Sequence, residues 1–209
     1  MIGAALLSIG ISYQEQNDER QARQTFEEAL PYARGSDEPW VLAYVTTNLA
    51  LLMGPAEAEQ AEELYEESLQ ARGSLPYEMS RVPVLTNLGI LRSEQGRYSG
   101  AEKLLREALQ LDMDGQPIDD EPIEVFDVRE VMLPLQNLAN VLVEQRRFPE
   151  AANYYENAIE LAEQLGDSFK EVQLSTSFAV CLANAKEFER SHSQFALLAE
   201  SYQRFGISE

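Results

Sequence analysis

Apolar residues recur along this chain at intervals of three and four rather than two, which predicts amphipathic helices and leaves no alternating run for a strand. The helical stretches also repeat one another. A small residue follows an apolar one at Gly10, Ala50, Gly89, Ala139 and Ala179. Twelve positions later a second small residue stands at Ala22, Ala101, Ala151 and Ser191, with Ala61 one position early. Four residues on comes a large side chain, Phe26, Tyr65, Leu105, Tyr155 or Phe195. Three beyond it the residue is small again at Ala29, Ser68, Ala108 and Ala158, with Leu198 in the fifth unit.

Small residues let two helices approach closely, and the large side chain fills the space beside their contact. Turn signals separate the two small positions at Gln16-Asn17-Asp18, Gly54-Pro55, Gln95-Gly96 and Phe148-Pro149. The units start 40, 39, 50 and 40 residues apart, room for two helices of roughly 15 to 18 residues with their turns. The expected architecture is one all-α domain over residues 1–209, a right-handed solenoid of five helix-turn-helix pairs at approximately 1–35, 36–73, 76–112, 123–165 and 167–204.

This pattern resembles the tetratricopeptide repeat family, whose hallmark is an apolar-small pair on the first helix and a small, aromatic, small series on the second. The 40-residue spacing and the wording Asn-Leu-Ala or Asn-Leu-Gly are similar to the longer-helix branch seen in kinesin light chains and in the Leu-Gly-Asn-repeat spindle adaptors. The first and fifth units lack that Asn. The resemblance implies a protein-interaction module without catalysis.

Charge narrows the partners. With 36 Asp and Glu against 16 Lys and Arg the net charge is -20, so general binding to nucleic acid or an anionic membrane is excluded. One Cys and one His cannot make an internal disulfide or an ordinary four-ligand zinc site. The first dozen residues are apolar, yet no Lys or Arg precedes Arg20, so they read as part of a helix rather than a secretory signal. No run reaches the length of a membrane span, and the cytoplasm is the default compartment.

The extra residues between the third and fourth units form an acidic insert at 112–122, rich in Asp and Glu. It does not follow a calcium loop, because Gly115 comes two residues early and Ile123 takes the place of the closing Glu. It reads as a solvated loop, with a docking strip for a basic partner as the alternative. The first helix is expected to be shorter than its counterparts, and no capping helix is evident at either end. That favours a module from a longer protein over one whose end repeats pack on another copy.

In a stack of helix pairs the first helices line the concave face. Helical spacing places Ser8, Asn48, Asn87, Asn137 and Ser177 in one row there, with Thr47, Thr86, Gln136 and Thr176 beside it and Asn140 one turn on. Amides and hydroxyls could hold a peptide backbone whatever its side chains, or they could bond to the neighbouring repeat. In the family the equivalent Asn often contacts a bound peptide, which favours the first use for Asn48, Asn87 and Asn137. The row carries no Lys or Arg, and Glu15, Glu94 and Glu144 stand at its rim. A neutral or basic peptide or helix is the expected ligand.

No catalytic, metal or cofactor site is predicted. Cys181 reads as a packed thiol, His192 as exposed, and the Glu62-Glu63 and Glu66-Glu67 pairs as a solvated helix face. Trp40 reads as an anchor at a helix start, while Pro83 and Pro134 either begin a helix or kink one. The chain is therefore read as an adaptor or scaffold. The alternatives are self-association through uncapped end repeats and a peptide-sensing segment of a larger protein.

Overall fold

The computed structural model describes residues 1–75, 81–110 and 129–205; the side chains of residue 129 and of residues 200–205 are outside the description, and so is the acidic insert at 112–122. Among the described residues there are ten α-helices and no strand. They are α1 (Ile2–Glu15), α2 (Glu19–Arg34), α3 (Pro39–Leu51), α4 (Ala58–Gly73), α5 (Val82–Glu94), α6 (Tyr98–Ala108), α7 (Arg129–Glu144), α8 (Phe148–Leu165), α9 (Ser168–Asn184) and α10 (Phe188–Phe205). A single turn of 3₁₀-helix, Pro55–Glu57, precedes α4. The fold is an all-α solenoid of helix pairs.

The repeat is a packing rule. Every marked residue is buried except Phe195, which is 44% exposed. In the first repeat a methyl group on Gly10 would lie 2.3 Å from a carbon of the Phe26 ring. Most described buried apolar residues belong to this scheme and its immediate neighbours in sequence.

The chain divides into two compact units, residues 1–91 and 92–209, with the division inside α5. In the first unit α1 packs on α2, α2 on α3 and α3 on α4. In the second, α6 packs on α7, α7 on α8, α8 on α9 and α9 on α10. The core of the second unit includes the fully buried Leu138, Leu142, Leu174 and Leu182.

Five turns share one geometry. Asn17, Gly96, Arg146, Gly166 and Lys186 each adopt a left-handed backbone with φ between 58° and 72°. The N–H of each reaches back three residues, and the N–H of the next residue reaches back five, as in Asn17 to Gln14 and Asp18 to Tyr13. This is the Schellman ending, and it satisfies carbonyls that a helix terminus leaves open. Asp18 and Asp167 then cap the next helix by accepting from the N–H of Gln21 and of Lys170.

Three expectations change. The Phe148-Pro149 turn is the first turn of α8, and the turn itself is Arg146-Arg147, because Pro is well placed where a helix leaves its N–H groups unused. Pro83 is the second residue of α5, whereas Pro134 stands buried within α7. Finally, α1 has 14 residues against 13 in α3 and in α5, so it is no shorter than those two counterparts; both begin at a proline or one residue before it.

Candidate functional site

In each unit the first helices carry polar residues edged by large apolar side chains on their outward faces. In the first unit Asn48 is half-buried on α3, and its Nδ2 donates to the Tyr44 carbonyl at 2.8 Å. In the second unit Asn137 on α7 does the same with the Leu133 carbonyl at 2.9 Å. Each amide is thus fixed against its own helix while keeping an acceptor oxygen and a second N–H. Asn87 is half-buried on α5. Asn140 accepts from the Tyr155 hydroxyl at 2.6 Å, which orients it and leaves its NH₂ as a donor. Burial and the negative charge of Glu144 raise the Tyr155 hydroxyl above its ordinary range, so it stays a donor.

The remaining residues of the row divide by exposure. Ser8 on α1 is exposed and its hydroxyl donates to the Ala4 carbonyl at 3.1 Å; Ser177 on α9 is half-buried, with the Gln173 carbonyl 3.4 Å away. Thr176 is exposed. Thr47 and Thr86 point inward, 8% and 1% exposed. The Thr47 hydroxyl bonds to the Ala43 carbonyl and to Ser68 on α4, tying the second helix pair together. Gln136 is half-buried on α7, and its Oε1 is buried with no hydrogen-bond partner among the described residues.

Sequence reasoning missed the apolar edge. Tyr44 and Leu51 flank Asn48 one turn before and one turn after it, 41% and 49% exposed, and Leu133 precedes Asn137 at 42%. Val180 follows Ser177 at 49%. The Arg72 guanidinium lies 5.5 Å from the Tyr44 ring centroid and is itself buried. The ring therefore has a cation beside it while remaining partly exposed. The signal was available, because each of these residues lies three or four positions from a marked polar residue and so shares its helix face.

Charge is distributed by helix. α1 and α3 contain no Lys or Arg, and the first helices α5, α7 and α9 have only Arg92, Arg129 and Lys170, near their ends. Glu15, Glu94 and Glu144 are exposed. Basic residues instead join neighbouring second helices and the segments that lead into them. Arg23 pairs with Glu57, Arg34 with Glu67, Arg106 with Glu150 and Arg190 with Glu156. The sequence reading did not identify these pairs.

Cys181 is buried, with its Sγ 3.4 Å from the Phe148 carbonyl, and burial pushes the thiol up to about 11. A thiol held protonated is a poor nucleophile. His192 is exposed on α10. Trp40 is half-buried as the second residue of α3. Among the described residues no helix is long and apolar enough to cross a membrane, and no group of three or more potential metal ligands is assembled.

Two stretches of the chain, residues 46–114 and 135–168, match family models described as tetratricopeptide repeat. No curated protein matches in sequence. Among solved structures the chain is similar to BtubC (BKLC) from P. vanneervenii, at 18% identity and a TM-score of 0.77 over 100% of this chain and 84% of that one. The putative kinesin light chain TPR-like repeats of Podosopora anserina align at 14% identity and a TM-score of 0.73, covering 98% and 96%. Pseudomonas aeruginosa pilF aligns at 21% identity and a TM-score of 0.68, covering 96% and 76%. At these identities the likeness is one of fold.

Proposed function

The chain belongs to the tetratricopeptide repeat family, and on that premise we propose that it is a non-catalytic adaptor whose first-helix face holds a neutral or basic peptide or helix. The observation that carries this reading is the combination on α3 and α7. A half-buried Asn with a fixed amide stands one turn from a large exposed apolar side chain, on helices almost without cations. Asn48 and Asn87 in the first unit and Asn137 in the second would bond to ligand backbone, helped by Ser8 in the first unit and by Gln136, Asn140, Thr176 and Ser177 in the second. Thr47 and Thr86 would support the face from beneath it. Tyr44, Leu51, Leu133 and Val180 would take apolar side chains, and preorganised amides reduce the ordering cost of binding. The rim carboxylates would favour Lys and Arg over Asp and Glu.

The test is selection of binders from a random peptide display library, followed by affinity measurement. Enriched peptides are expected to be neutral or basic, and the Asn87→Ala, Asn137→Ala double variant should bind them at least tenfold more weakly with its helicity intact. Enrichment of acidic peptides would overturn the proposed preference, and loss of helicity in the double variant would make the Asn row structural.

A further inference from the structure

A cleft of about 500 Å³ opens in the second unit between α8 and α10, with α9 as its floor. The volume is that of a cleft able to take a few large side chains. Its apolar lining is Ile159, Val172, Phe178, Leu197 and Leu198. Leu197 is 55% exposed, unusually open for a large aliphatic side chain beside a cleft.

The rim has one sign of charge. Glu156, Glu160 and Glu163 line it from α8, and Glu171 lines it from α9. Arg190 stands at one end of the cleft, where it engages Glu156 at 2.7 Å and lies 5.9 Å from the Phe178 ring centroid. Among the described residues the other three carboxylates form no salt bridge, and no Lys or Arg lines the cleft. The spacing is helical on both sides. Glu156, Glu160 and Glu163 recur along one face of α8, and Gln194, Leu197 and Leu198 do so along α10.

This surface is distinct from the polar row. Successive residues of a helix turn about 100° around its axis. Glu171, Ser175 and Phe178 therefore lie on one side of α9, while Gln173, Ser177 and Val180 lie on the other. A ligand on the first-helix face does not occupy the cleft.

We propose that the cleft between α8 and α10 is a second docking site, which takes an amphipathic helix presenting large apolar side chains flanked by Lys or Arg. The apolar side chains would enter against Phe178 and Leu197. The cations would meet Glu160, Glu163 and Glu171, the charge complement of an acid-rimmed apolar groove.

The probe is a fluorescein-labelled 14-residue peptide with Leu at helical i, i+3, i+4 and i+7 positions and Lys elsewhere, measured by anisotropy against the full chain. Binding is expected to weaken at least tenfold in Glu160→Lys, Glu163→Lys and in Leu197→Asp, and to weaken with added salt. In Asn137→Ala, Asn140→Ala, which weakens binding to the first-helix face, a bound component should remain that Leu197→Asp abolishes, which separates this site from that face. Circular dichroism checks that the variants are folded; should the double charge reversal unfold, Leu197→Asp decides. A peptide that does not bind, one whose binding ignores the cleft variants, or one lost equally in the asparagine variant would overturn the proposal. Equal affinity for spermidine would overturn it too, since the apolar lining would then contribute nothing.

Discussion

Arginine-glutamate pairs join second helices in both units, and the Arg34–Glu67 pair of the first and the Arg106 network of the second stand in different surroundings. In the first unit the Arg34 and Glu67 side chains are 52% and 27% exposed. In the second, Arg106 is 1% exposed and its partner on α8, Glu150, 34%, while Glu102, which Arg106 also engages within α6, is 4% exposed. Arg106 donates to Glu102, to Glu150 and, at 2.8 Å, to the Tyr154 hydroxyl, while Arg147 bridges the same two carboxylates. The chemistry of the pairs is alike, so water decides their weight. An exposed pair is screened and contributes little, whereas a buried charge that loses its partner cannot be rehydrated without opening the structure.

The largest expected effect follows from that contrast. Arg106→Ala leaves Glu102 buried without one of its cations and should destabilise the second unit by about 3–5 kcal/mol. Arg34→Ala should cost less than about 1 kcal/mol. Urea denaturation followed by circular dichroism measures both, and the fluorescence of Trp40 reports the first unit alone. Equal shifts in the two variants would dissolve the comparison. The pH dependence sharpens it. Burial pushes the Glu102 carboxyl up, but hydrogen bonds from Gln145, Arg147 and Arg106 outweigh this and hold it below the usual carboxylate range. A lowered value in the folded state means stability that is present above the ordinary Glu value of about 4.3 and lost as pH falls through the depressed one. Glu102→Gln should remove that acid-sensitive component.

The first unit has its sensitive point in packing instead. Gly10→Ala would drive a methyl group into the Phe26 ring, and overpacking of this kind costs about 1–3 kcal/mol. Phe26→Leu should recover part of the loss in the double variant, as read from the midpoint of a thermal melt, since the third repeat already carries Leu105 at the equivalent position. Additive losses in the double variant would mean that the two residues are not coupled.

These differences also show what the sequence discloses. The small-large series was legible because side-chain volume at a helix contact leaves a mark at fixed spacing, and it placed nineteen of twenty positions in the interior. Phe195 departs because the pattern registers residue type and not what covers it. The polar row was legible as a face, but Thr47 and Thr86 share the angular sector in which α3 and α5 turn inward. The ion pairs were not legible. The partners that join separate elements lie 33 to 45 residues apart, and an excess of acids hides which ones are paired. The acid-rimmed cleft was missed for the same reason, since it combines three helices.

The smallest effect concerns the turns. Among the left-handed Schellman positions the first unit uses Asn17, a residue that tolerates this backbone, whereas the second uses Arg146 and Lys186 as well as Gly96 and Gly166. Arg and Lys gain nothing from a positive φ, so the second unit carries backbone strain alongside its buried network. Arg146 adjoins Arg147 of that network, which leaves Lys186 as the cleaner site. A left-handed side chain costs about 1–2 kcal/mol relative to Gly, and the extra freedom of Gly in the unfolded chain offsets up to about 1 kcal/mol of it. Lys186→Gly should therefore stabilise the protein by less than about 1 kcal/mol, while Gly166→Ala should destabilise it by a similar amount. Thermal melts at low and high salt would separate the backbone effect from the loss of a cation, because only the second depends on salt. A stabilisation that vanishes in high salt would assign the change to charge and remove strain from the comparison between the units.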